Sequence, residues 1–498
     1  MKELLIRIRR EAARHPDAPA LLDELIELDY DTLVQTVDRL TDTLIAERIG
    51  LLVDNGIPWA CLDLAIVQRG AVCVPMPGFF SDDQLRHLIR DADLDLIATD
   101  QPERIAGLLG DDPAGMVRVA GRSLSLFRRT TEMTGPGLPP GTVKVTYTSG
   151  TTGQPKGVCL SGETLRSVVV ALCEAVAATP SDRCLSLLPL STLLENITGL
   201  YAPLWTGALA QVPSLASCGL SGSSGLQMDR LFAALTRARP TITVLVPQLL
   251  KALAGGIAAG LPAPESLRFV AVGGAPVAES LLQQARLFGL PVFQGFGLSE
   301  AGSVASLNLP GAEREGSVGK PLPHVQIRIA EDGEVVVGGR LFQGYLGTPG
   351  TLNGTDWPTG DLGHIDADGY LFLTGRKKTA YATAFGRNVS PEWVESALTG
   401  HPYIAQAAVF GEAAPFNVAV LVPRPGIAPY ELSRAVATVN DTLPDYARIG
   451  AWVIADHPFM PANGLSNGAG CIRRGAIHSL YQTRIEQLYA TEEIHAVP

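Results

Sequence analysis

A β-rich run, Val143-Lys-Val-Thr-Tyr-Thr148, leads straight into Ser149-Gly-Thr-Thr-Gly-Gln-Pro-Lys-Gly157. Main-chain N–H groups bared by Gly150 and Gly153, the hydroxyls of Thr148, Ser149, Thr151 and Thr152, and the Lys156 ammonium form a set that can converge on a polyphosphate. A polar surface turn has a similar composition. The order is not that of a P-loop, which closes on Gly-Lys-Ser/Thr; here Pro155 precedes Lys156 and Gly157 follows it.

A second cluster, Gln294-Gly-Phe-Gly-Leu-Ser-Glu300, follows another β-rich run. Phe296 can stack on a base, Ser299 can meet a phosphate oxygen and Glu300 can hold a divalent cation. A strand-to-helix turn capped by Ser299 is the structural alternative. Upstream, Gly273-Gly-Ala-Pro-Val277 is by itself an ordinary turn. Thr359-Gly-Asp361 and Gly375-Arg376 bracket a hairpin, and both the carboxylate and the guanidinium suit sugar hydroxyls. The run Leu187–Glu195, LLPLSTLLE, is apolar enough to be buried or to line a pocket. Rival chemistries are weaker. No G-x-S-x-G elbow is present, Gly295-x-Gly297 lacks the third dinucleotide glycine, and the eight histidines show no metal-ligand spacing.

Taken in order, these motifs resemble the signatures of the AMP-forming adenylating superfamily: acyl-CoA synthetases, luciferases and the adenylation domains of peptide synthetases. Residues 147–158, YTSGTTGQPKGV, carry most of the likeness. The resemblance implies ATP, Mg²⁺ and coenzyme A (or carrier-protein pantetheine) as cofactors and a carboxylic acid, fatty or aryl, as substrate. It implies that Gly274, Ala275, Pro276, Gly295, Phe296 and Gly297 surround adenine and that Ser299 contacts the α-phosphate. Glu300 with Thr148 would hold the metal, and Asp361 with Arg376 the ribose. Lys156 would serve the phosphates, and Lys378 would be the hinge of a rotating C-terminal domain. Thr192, Glu195 and Val246 would belong to the acyl pocket, although many relatives carry histidine where Thr192 stands. Gly386 and Arg387 would enter with the thiol. An acyl-AMP ligase loading a separate acyl carrier protein is the related alternative.

The final motif departs from the family. Pro461–Arg474, PANGLSNGAGCIRR, resembles the superfamily's last glycine-rich loop, yet Cys471 stands where the adenylation lysine belongs. No lysine follows Lys378. Arg473 or Arg474 can substitute, the loop can be placed one or two residues differently, or adenylation is weak and the chain works on a supplied adenylate or only binds ligands.

The elements that must position these residues follow from the pattern. The chain has 498 residues, 46% hydrophobic and 18% charged, enough for several cores. A net charge of −11 argues against nucleic-acid binding. Seven scattered cysteines without a C-x-x-C pair argue against a disulfide framework or structural zinc. With no signal-like terminus and no membrane-length apolar run, the sequence predicts a soluble, cytoplasmic protein without a membrane span.

Short β runs (49–53, 71–75, 94–99, 241–247, 269–272, 291–294) alternate with amphipathic stretches (30–46, 83–92, 164–177, 226–238), the pattern of a doubly wound α/β fold. Ser161 and Asp229 are placed as helix caps, and 213–225 as a loop without elements. From about 327 the pattern predicts a β-rich subdomain whose DADG turn closes a hairpin. The expected organisation is a nucleotide- and acyl-binding domain over 1–375, a hinge at 376–378 and a small, mobile α+β lid over 379–498.

Overall fold

The computed structural model describes residues 1–129, 137–148, 155–221, 225–348, 355–382, 388–467 and 470–490. The architecture is α/β. Strands Arg48–Leu52, Val72–Pro75, Leu96–Thr99 and Thr142–Thr148 form the parallel centre of an eight-stranded sheet, edged on both sides by antiparallel strands. A nine-stranded sheet is built likewise around Arg183–Leu185, Ile242–Leu245, Phe269–Val272 and Val292–Phe296. Their β-branched and Leu-rich runs are buried on both faces, as parallel strands covered by helices require.

Helix Ile57–Arg69 carries the pattern further, since eleven of its thirteen residues are buried, Asp63 among them. Helix Gly162–Ala175 starts at Ser161, whose hydroxyl accepts from the Thr164 N–H at 3.0 Å. Asp229 is not a cap: helix Met228–Ala238 starts one residue earlier, and its cap position, Gln227, makes no side-chain cap bond. Loop 213–225 is not bare either. It holds a 3₁₀ turn, Ala216–Cys218, and the first arm of a two-residue strand pair, Leu220–Ser221 with Gly225–Leu226.

Strands Val325–Ile329, Glu334–Gly339, Asp356–Ile365 and Leu371–Arg376 form a four-stranded antiparallel sheet. Lys377 then pins the chain to that sheet through Asp332 at 2.6 Å and Glu334 at 2.7 Å, while Lys378 is exposed. Beyond it, strands Ile404–Phe410, Asn417–Pro423 and Ile449–Ile454 form one sheet. Helices Pro391–Gly400 and Pro429–Asn440 share one of its two cores, and helix Arg474–Ala490 the other.

The two regions touch at defined places. Lys251 Nζ donates to the Thr399 carbonyl at 2.5 Å, at the last turn of Pro391–Gly400, where a cation suits the helix dipole. Gly375, at φ +151°, leaves room for Ser390, whose Oγ would lie 1.9 Å from any Cβ built there.

Candidate active site

Thr148 and Lys156 face each other across the antiparallel pair Thr142–Thr148 and Lys156–Ser161, so the glycine-rich loop closes a hairpin between them. Ser149, Gly150, Thr151, Thr152 and Gly153 lie outside the described residues, as do Gly386 and Arg387. Lys156 is exposed, and its ammonium sits 5.3 Å over the Tyr345 ring. Tyr345 pairs with Val158 on the same strand and donates its hydroxyl to Glu300 Oε1 at 2.5 Å. Burial, then the neighbouring Glu300, holds the Tyr345 phenol well above its ordinary range, so it stays a donor. Sequence reading missed Tyr345, because its strand pairing with Val158 is a contact between distant segments.

Glu300 belongs to the single 3₁₀ turn Ser299–Ala301 after strand Val292–Phe296. Leu298, not Ser299, occupies the cap position, and no side-chain cap bond is made there, so Ser299 is not a helix cap. The Phe342 N–H donates to the Glu300 carbonyl at 2.7 Å and fixes this turn from outside. Gly297 makes the turn possible: a Cβ there would lie 1.6 Å from the Ser303 carbonyl oxygen. Phe296 is buried in the main core. Gly295 adjoins Gly273, and a Cβ built on Gly274 (φ +81°) would lie 3.8 Å from Val246 Cγ1, with Gly274, Ala275 and Pro276 exposed at the strand ends.

Asp361 and Arg376 are register partners in the hairpin, joined Oδ1 to Nε at 2.8 Å. Asp361 is 6% exposed, and burial pushes its carboxyl up to about 6, against the opposing pull of Arg376. Glu300 adds to that upward push, which puts both carboxylates in one electrostatic neighbourhood.

The described residues contain no cluster of three or more acidic, His or Cys side chains that could cage a metal. Magnesium binds through one or two carboxylates plus substrate phosphates. Glu300, half-buried with one oxygen held by Tyr345, is suited to it, and Thr148 stands beside Lys156 at the loop's base.

The acyl-side residues divide. Leu194, Thr198, Ala202, Val244, Ala271 and Val304 help to line an apolar cavity of about 60 Å³ against the nine-stranded sheet. Thr192 is not among its lining residues, and its hydroxyl donates to the Pro189 carbonyl at 2.7 Å. Glu195 is 1% exposed and also misses the cavity; burial raises its carboxyl to about 8, so it is protonated at neutral pH. The stretch Asn196–Tyr201 that follows Glu195 is a π-helix.

Cys471 is exposed, with its N–H donating to Asn467 Oδ1 at 2.9 Å and its carbonyl accepting from the Asn467 N–H at 2.8 Å. Arg474 is committed elsewhere. It holds Glu395 at 2.7 and 2.8 Å and Glu392 at 3.1 Å, tying helix Arg474–Ala490 to helix Pro391–Gly400. Arg473 is exposed. Among the described residues no hydrogen bond or ion pair joins Cys471 or Lys378 to the Glu300 cluster.

The profile of AMP-binding enzymes matches residues 8–346, and that of the AMP-binding enzyme C-terminal domain matches 381–493. The chain belongs to the AMP-binding enzyme family. It is an AMP-forming acid–thiol ligase of the acyl-CoA synthetase type. It is 29% identical over 452 residues to the long-chain-fatty-acid–CoA ligase FadD15 of Mycobacterium bovis, covering 76% of this chain and 73% of that one. It is also 29% identical to the indoleacetate–CoA ligase of Aromatoleum aromaticum, covering 85% and 89%. The fold matches the anthranilate CoA ligase AuaEII, solved with anthranoyl-AMP, at a TM-score of 0.81 and 20% identity over 97% and 98% of the chains. Among the described residues no helix is long and apolar enough to cross a membrane.

Proposed function

We propose that this ligase activates a carboxylic acid with an apolar tail, fatty or aryl, as its acyl-adenylate and passes it to coenzyme A. The observation that carries this reading is the cavity's position. Val244 precedes Val246 by two residues, Ala271 precedes Gly273 by two, and Val304 follows Glu300 by four, so its walls come from the same strands and turn that carry the polar cluster. Its lining holds no cation. Its one carboxylate, Asp182, is already bound to Arg268 at 2.7 Å. Such a lining favours an alkyl or aryl group over a charged one, so the acid's own carboxylate remains at the strand ends.

In this reading Lys156 and the 149–153 loop steady the leaving phosphates, Ser299 faces the α-phosphate, and Asp361 with Arg376 holds the ribose. Gly274, Ala275 and Pro276 edge the adenine with Gly295, Phe296 and Gly297. Glu300, with Thr148, would hold magnesium, which when bound neutralises phosphate charge. Tyr345 keeps one Glu300 oxygen oriented. The region beyond Lys378 acts as the lid, with Gly386 and Arg387 on the thiol side. Cys471 replaces a charged group with a neutral thiol, so adenylation is the slower half-reaction.

The test is incubation with MgATP, coenzyme A and a panel of acetate, hexanoate, dodecanoate, benzoate and indoleacetate, with products read by mass spectrometry. Acyl-CoA and AMP are expected with the apolar acids and not with acetate. Transfer to a carrier protein and not to coenzyme A would overturn the choice of acceptor.

A further inference from the structure

Among the described residues, the most heavily buried charges lie outside the site just discussed. Lys144, with 0% of its surface exposed, donates to Asp63 Oδ1 at 2.5 Å and to Asn196 Oδ1 at 2.6 Å. Asp63, equally buried, also accepts from the Tyr201 hydroxyl and from the Cys73 thiol at 3.2 Å. The ammonium lies 5.1 Å from the Tyr201 ring and 5.6 Å from that of Trp59.

Stability alone does not account for such a cluster. Desolvating each ion costs several kcal/mol, and an apolar set of similar volume is often as stable or more so. What an ion pair adds is direction, because its partners must meet at one place and one angle. Here the partners come from elements with separate duties. Lys144 sits on strand Thr142–Thr148, which runs into the phosphate-side loop. Asp63 is on the buried helix Ile57–Arg69. Asn196 and Tyr201 are the two ends of the π-helix, whose Thr198, with the flanking Leu194 and Ala202, faces the apolar cavity.

We propose that Lys144, Asp63 and Asn196 are positioning residues that set the acid-binding wall relative to the phosphate-side strand. The proposal rests on the reading of the cavity as the acid's pocket. The cluster touches no substrate. It fixes the π-helix in the register that points Leu194, Thr198 and Ala202 at the tail.

Two variants test this. Asn196→Ala keeps the ion pair and cuts its tie to the first residue of the π-helix, leaving the Tyr201 hydroxyl on Asp63; the double variant Lys144→Met with Asp63→Asn removes both charges at similar volume. The expected result in each is a rise of about tenfold or more in KM for dodecanoate, with KM for ATP within about twofold of the native value. Calorimetric binding of dodecanoate and of ATP, each alone, should divide in the same way. Unaltered KM and Kd for dodecanoate in folded Asn196→Ala, or equal losses for both substrates, would overturn the proposal. So would an Asn196→Ala chain that does not fold, since the cluster would then be a stability element. If the native chain turns over no acid, the functional reading fails while calorimetry still decides the positioning claim. Native protein that binds no acid overturns both.

Discussion

Cys471→Lys is the most informative single change. The main chain at 471 is already fixed, because its N–H and carbonyl both bond Asn467, and its side chain is exposed. A lysine there extends into solvent or toward the nucleotide without repacking a core. The two neighbouring arginines are unequal as stand-ins. Arg474 is held by Glu392 and Glu395, and removing it would strand a buried carboxylate at a cost of about 3–5 kcal/mol. Only Arg473 is free of that commitment. If no cation serves the adenylation step in the native chain, supplying one restores a preorganised donor of the kind whose loss typically costs about 10²–10³ in rate.

The expected gain in single-turnover acyl-adenylate formation, read by quenched flow with labelled ATP, is therefore at least about tenfold. Thioester formation from a supplied acyl-adenylate should stay within about twofold, because that step needs no such charge. Arg473→Ala is the matched control. An adenylation rate unchanged by Cys471→Lys and strongly reduced by Arg473→Ala would refute the reasoning and make Arg473 the native cation.

Three further outcomes follow from the geometry. Asp361 gains a proton as pH falls through about 6, losing its charge toward Arg376, so KM for ATP should rise below pH 6; Asp361→Asn should bind ATP about tenfold more weakly with that pH dependence gone. Glu195 keeps its proton to about 8 when folded but loses it near 4.5 when unfolded, so stability falls with rising pH across that window, by up to about 1.4 kcal/mol per unit. Glu195→Gln cannot ionise, and melting curves should show it more stable than native at pH 8, with the two converging toward pH 4.5. Gly297→Ala drives a methyl into the Ser303 carbonyl and must displace the turn that carries Glu300; adenylation should drop by about 10² or more while far-UV circular dichroism is unchanged.

Local chemistry was legible in the sequence wherever one segment carries it. Glycines at 273–274 and 295–297, the carboxylate at 300 and the hairpin around DADG each announce a strand end or turn, and the structure places them there. Contacts between segments were not legible. Tyr345 reaches Glu300 only because its two-residue strand pairs with Lys156–Ser161, and nothing near position 345 marks that pairing. The π-helix escaped because one widened turn barely alters the apolar spacing of a short run.

Lys144 shows how such a contact can be anticipated. The run VKVTY alternates, and alternation alone would send the lysine to solvent. A parallel strand at the centre of a sheet, however, has no solvent face. Its lysine must find a buried anion, and the helix sequence IPWACLDLAIVQR offers a single carboxylate inside an otherwise apolar stretch. A lone cation and a lone anion in separately buried elements are each costly alone, so the fold must bring them together. The same logic assigns Arg474 to Glu395 and thereby removes it from the adenylation chemistry. Charges that the core must satisfy are unavailable to the substrate, and once they are set aside Lys156, Arg376 and the exposed Arg473 remain as candidate cations among the described residues, with no lysine at 471 to join them.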